Sequence, residues 1–183
     1  MSDLLSLIET LQSNYVREFE AAYYQQLDLN EAVFPEIAVE MSGGTYKKLF
    51  VIDLVARNGA KQAAVEILPT TKAYDGGIAT NYRSISFVIG QATWDNISIT
   101  LEPAKNNLVG FEAWFDKWMD LDGKRREEGS PTSNIIHSVS FHEDQMEIDF
   151  GTTSTAAFVE LVDLFSKNGI EKVRIESTRK RPQ

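Results

Sequence analysis

The sequence predicts an α+β domain: an N-terminal helix, a mostly antiparallel β-meander, a second helix and a C-terminal ββαβ unit. Three observations carry the prediction. Apolar residues recur at spacings of three and four near the start, the hydrophobic period changes to two after Glu36, and Asn58-Gly59 separates two strand-like runs. A length of 183 residues suits one domain over 1–183, with possible sub-units 1–102 and 108–177.

Leu4, Ile8, Leu11, Tyr15, Phe19 and Ala22 form the apolar face of a helix from about Asp3 to Gln26, with Ser2 placed to cap it. Asp28-Leu29-Asn30 and Pro35 break the pattern. Ile37, Val39 and Met41 then alternate with polar residues up to the turn at Gly43-Gly44. The run Tyr46 to Arg57 is apolar on both sides of the alternation and reads as a central strand covered on both faces. Asn58-Gly59 is a type I′ hairpin signal, because that turn requires positive φ at both central residues. Gln62 to Leu68 returns as the next strand. Thr70 to Arg83 reads as a polar loop around Gly76-Gly77, and strands follow at Ile85-Phe87-Ile89 and Ile97-Ile99-Leu101.

Phe111, Trp114, Phe115 and Trp118 share one face of a helix at about Val109 to Leu121, where core packing explains them best. Asp122 to Asn134 is charged, contains Gly and Pro, and lacks periodicity, so it reads as a mobile loop. Two strands, Ile135 to Phe141 and Gln145 to Phe150, join through a turn at His142-Glu143-Asp144. A helix over Thr155 to Lys167 and a strand around Val173 and Ile175 complete the chain. Alternation turns Met146, Ile148 and Phe150 toward that helix, and Glu147 and Asp149 away from it.

Composition narrows the function. The absence of cysteine excludes disulfides, thiolate catalysis and zinc sites built on sulfur, and it favours a reducing, cytoplasmic setting. A net charge of −9 disfavours nucleic acid and anionic membranes as partners; it either serves solubility alone or favours a basic protein partner. The first residues lack the basic region of a secretory leader, and no apolar run is long enough to span a bilayer.

No catalytic set emerges, and no cofactor or metal site is predicted. The glycine pairs match neither phosphate-binding pattern, and Asp116 to Glu128 fails as a calcium loop because Trp118 and Leu121 occupy critical positions. The two histidines, His137 and His142, lack metal-binding spacing, and His137 reads as a hydrogen-bonded histidine in or near the core. Asp53 stands out, since it interrupts an apolar strand. It is a structural ion pair with a nearby Lys or Arg, a residue on a strand face only partly covered there, or a buried acid with a raised pKa. Lys124-Arg125-Arg126 and Arg179-Lys180-Arg181 read as solvated charge. In the segment 70–83, Tyr74, Asp75, Tyr82 and Arg83 are the candidate partner-binding residues, in a loop that is either functional or disordered.

The segments Ile148-Asp149-Phe150-Gly151-Thr152-Thr153, Ala157-Phe158-Val159-Glu160-Leu161 and Val173-Arg174-Ile175 resemble small acidic bacterial immunity proteins. The resemblance lies within residues 148–175 and implies a stoichiometric inhibitor of a basic toxin nuclease. It carries over no site residues. Two expectations follow: a non-catalytic protein-binding protein of this immunity type, or a small enzyme or small-molecule binder with a pocket near Asp53, Tyr74 and His137.

Overall fold

The computed structural model describes residues 3–69, 77–105, 107–142 and 145–177. It contains helix α1 (Asp3–Leu29), strands β1 (Ala32–Glu40), β2 (Leu49–Asn58), β3 (Lys61–Val65), β4 (Ile78–Tyr82), β5 (Ile85–Ile89) and β6 (Ile97–Glu102), and helix α2 (Phe111–Met119). Strands β7 (Ser138–His142) and β8 (Gln145–Asp149), helix α3 (Ala156–Lys167) and strand β9 (Lys172–Glu176) follow. The class and the order of elements are those the sequence predicts. None of the helices is long and apolar enough to cross a membrane.

Among the described residues nine strands form one sheet in the order β1-β2-β7-β8-β6-β9-β5-β4, with β3 also paired to β2. Every pair is antiparallel except β5 with β9. The strands therefore do not lie in chain order. The β1-β2-β3 meander occupies one end and the β4-β5 hairpin the other, with the C-terminal strands inserted between them. Both β8 and β9 run antiparallel to β6, so they run the same way and α3 is a crossover that skips the strand between them.

The core follows the periodicities. Leu4, Ile8, Leu11, Tyr15, Phe19 and Tyr23 bury one stripe of α1, and β5 buries Ile85, Phe87 and Ile89 in strict alternation. At 27 residues α1 is about 40 Å long. It leads into β1 at one edge of the sheet and touches β4 at the other. The aromatic face of α2 is buried as expected, and Trp114 Nε1 donates to the carbonyl of Ala157 at 3.0 Å. Phe150 stacks on Trp94 with ring centroids 4.6 Å apart, and Phe158 lies 6.0 Å away. The buried apolar residues of all three helices and the sheet make one continuous cluster.

Four expectations need correction. The β2–β3 turn is Gly59-Ala60, with positive φ at Gly59 alone, so it is not a type I′ turn centred on Asn58-Gly59. Residues 78–82 are strand, not loop, and Arg83 and Ser84, at φ 56° and 68°, form a two-residue hairpin turn without glycine. The sequence could not announce that turn, because left-handed backbone is rare in these residue types. Asp122 to Asn134 is tied down: the Asp120 carboxylate accepts the N–H of Arg125 at 2.8 Å, and Arg125 Nη1 donates to the carbonyl of Asn134 at 2.9 Å. Arg125 and Arg126 are not simply solvated either. The Arg125 guanidinium lies 4.4 Å from the Trp118 ring centroid, and Arg126 Nη2 donates to the carbonyls of Pro35 (3.0 Å) and Glu36 (2.5 Å). That contact covers the open edge of β1, which proline already makes unsuitable for further pairing.

Candidate functional site

Four adjacent strands carry the polar centre of the molecule. Glu36 comes from β1, Asp53 from β2, His137 from the residue before β7, and Asp149 from the end of β8. In the β1–β2 register, Glu36 falls opposite Asp53 between the pairs Pro35↔Leu54 and Ile37↔Ile52. Its backbone leaves the extended region (φ 51°). A left-handed glutamate is strained, and such strain persists only where surroundings over-determine it.

The surroundings do so here. One Glu36 carboxylate oxygen accepts the N–H of Ser133 at 2.5 Å. The other accepts Thr152 Oγ1–H at 2.5 Å and faces His137 Nε2 at 3.0 Å. On the far side of the ring, Nδ1 lies 2.9 Å from Asp53 Oδ1, out of line for a hydrogen bond, so that contact acts through charge. Asp53 Oδ2 accepts the N–H of Ile67 at 2.7 Å. Asp149 Oδ2 stands 3.9 Å from Nδ1, while its Oδ1 accepts the N–H of Gly151 at 2.8 Å. Tyr15 and Phe19 of α1 present ring edges to the imidazole at 6.4 and 6.0 Å.

The ring is completely buried. Burial opposes its charge, but Asp149, Asp53 and Glu36 outweigh that cost and raise its pKa to about 10. His137 is therefore an imidazolium at neutral pH, without a lone pair to accept a proton and without access to one. Gly151 allows this packing. A β-carbon there would stand 2.2 Å from His137 Cδ2 and 2.6 Å from the carbonyl oxygen of Ile135, and its φ is 51°.

Over this centre opens a cleft of about 190 Å³. Asp53, Glu66, Asp95, Glu147 and Asp149 line it together with Tyr15, Asn96, Ser138 and Ser140. Among the described residues no Lys or Arg lines it. Burial pushes the Tyr15 phenol well above its ordinary range, and the negative charge of Asp149, Asp53, Asp95 and Glu36 adds to the effect. Burial likewise pushes the Asp149 carboxyl up to about 7. No three or more His, Asp and Glu among the described residues are disposed to hold a metal ion.

The structure brings two of the sequence candidates together. Asp53 pairs with a histidine in place of the Lys or Arg expected, and His137 is the core histidine the sequence suggests. Tyr74 and Asp75 lie outside the described residues. Tyr82 and Arg83 sit at the other edge of the sheet, where Arg83 Nε pairs with Asp163 of α3 at 3.2 Å. His142 does not line the cleft but lies 3.6 Å from Glu147, which does. Sequence reasoning missed Glu36, Asp95 and the role of Asp149. For Asp149 a signal existed: with Glu147 it alternates away from α3, and acids on a strand face need either water or partners. Comparison with protein-family models, curated proteins and solved structures gives no match.

Proposed function

We propose that the protein is a non-catalytic binding protein whose acidic cleft receives a cationic side chain of a basic protein partner, in the manner of a stoichiometric, immunity-type inhibitor. The observation that supports this most is the pairing of a carboxylate-lined cleft with a sealed, already protonated histidine. General acid–base chemistry requires a group that exchanges a proton with substrate near the working pH. His137 meets neither condition. Asp149, raised by burial to about 7, meets both, but it stands among further carboxylates with no Lys or Arg lining the cleft among the described residues, a lining that suits holding a cation. A recess bearing Asp53, Glu66, Asp95, Glu147 and Asp149 instead offers multiple acceptors to a guanidinium or ammonium group. The net charge of −9 would speed encounter with a positive surface.

A small-molecule cation of the same chemistry is the second reading, favoured by the concave, carboxylate-lined form of the cleft. One experiment separates the two. The partner is captured by cross-linking in the native host, identified, and its binding to wild type, Glu147→Lys, Tyr82→Ala and Arg83→Ala is measured over a range of salt. A protein partner bound at least tenfold more weakly by Glu147→Lys, with the loss shrinking as salt rises, supports the cleft as the interface. Loss confined to Tyr82→Ala and Arg83→Ala moves the interface to the β4–β5 hairpin. Equal binding by all variants defeats both surfaces, and recovery of a small cation alone favours the second reading.

A further inference from the structure

Asp149 is bound less completely than its neighbours. Glu36 takes three contacts from donors, and Asp53 takes the Ile67 N–H and lies 2.9 Å from His137 Nδ1. Asp149 has one backbone N–H and a histidine at 3.9 Å, and 22% of its side chain is exposed. Its environment comes from every side of the cleft: Tyr15 from α1, Asp53 from β2, Glu66 beyond β3, Asp95 from the turn before β6, Glu147 from β8, and His137 beneath. Burial above all, then Asp53 and Asp95, disfavour its negative charge, while His137 and the Gly151 N–H favour it. Tyr15 remains a neutral phenol and His137 a cation through neutral pH. Of these three displaced groups only Asp149 changes its charge there, at about 7.

Resting on the reading that the cleft receives a cation, we infer that the cation enters in exchange for the proton of Asp149. The O–H bond of the carboxyl breaks, the proton passes to solvent, and the carboxylate left behind pairs with the incoming guanidinium or ammonium group. The cleft is thus gated by acid: occupied above neutrality and released below it. Linkage of one proton to one cation makes affinity fall about tenfold per pH unit below the titration of the carboxyl.

The test uses the full chain with 13C-labelled aspartate and L-arginine amide as the probe. The Asp149 Cγ shift is followed against pH with and without probe, and probe affinity is measured at pH 6 and pH 8. The expected result is a midpoint near 7 in the free protein, moved downward by the probe, with affinity at least tenfold higher at pH 8. Asp149→Asn removes that difference while Glu147 and Asp53 remain. Equal affinity at the two pH values, or a midpoint in the ordinary carboxyl range, overturns the exchange and leaves cation binding standing. Failure of the probe to bind wild type even at pH 8 overturns cation binding itself, and the exchange with it.

Discussion

The two ends of the sheet are built on different principles. At the β9-β5-β4 end, Phe87, Ile89, Val173 and Ile175 alternate inward, are almost wholly buried, and carry no buried charge in the strands. At the β1-β2-β7-β8 end, the sheet encloses an imidazolium and three carboxylates, tolerates a left-handed glutamate, and requires glycine at position 151. The first end is stabilised by area, at about 25 cal/mol per Å² of apolar surface. The second is stabilised only if every member of its network is present, because a lone buried charge is more costly than none. The cleft opens over the second end. The cleft and the structural vulnerability therefore occupy the same four strands.

The largest way to break this contrast is Gly151→Ala. Its β-carbon has no room against the imidazole and the Ile135 carbonyl, and the backbone is left-handed. We expect a loss of roughly 3–5 kcal/mol, or failure to fold, measured by urea denaturation. Full stability in this variant would show that the histidine is not locked in place.

Glu36→Ala and Phe87→Ala are expected to cost similar amounts for opposite reasons. Removing Glu36 leaves a buried imidazolium with one partner fewer, at about 3–5 kcal/mol. Removing the Phe87 ring leaves a cavity at the apolar end, again at about 3–5 kcal/mol. Only the first should depend on pH, its cost falling as His137 deprotonates at about 10. Denaturation of both variants at pH 7 and pH 10 makes the comparison, and parallel behaviour would erase the distinction between the two ends.

Wild type should show the same linkage. The folded pKa of His137 is raised from 6.5 to about 10. Its contribution is complete below 6.5 and is lost as pH rises through about 10, because the native state there binds the extra proton. The Asp149 carboxyl, raised to about 7, acts in the same direction at lower pH: the native state loses stability as that group ionises between about 4 and 7. The thermal midpoint should therefore decline between pH 7 and pH 10. A flat profile over that window would mean that the imidazolium contributes nothing to the fold.

The smallest effect lies at the far edge. Ser84, at φ 68°, follows Arg83 in the β4–β5 turn, and glycine is the residue that turn type favours at its second central position. Ser84→Gly should stabilise by about 0.5–1 kcal/mol, seen as a modest rise in the urea midpoint. No gain would indicate that the turn is less strained than its angle implies.

The sequence by itself determined what local patterning can determine. The stripe Leu4 to Ala22 made α1, the change of period made the strands, Asn58-Gly59 located the β2–β3 hairpin though not its turn type, and the aromatic face of α2 declared its burial, since each signal lies within a few residues of itself. Asp53 and His137 were visible as exceptions to their patterns, but neither revealed its partner. Only the tertiary structure decided that Glu36, Asp53, His137 and Asp149 meet, because the strand order places β7 and β8 beside β2 across some hundred residues of chain. It also decided that Arg126 covers the β1 edge and that the β4–β5 hairpin lies away from the cleft. Charge pairing at such separations follows from sheet order, and sheet order follows from how all the faces can be buried at once, which no local period encodes.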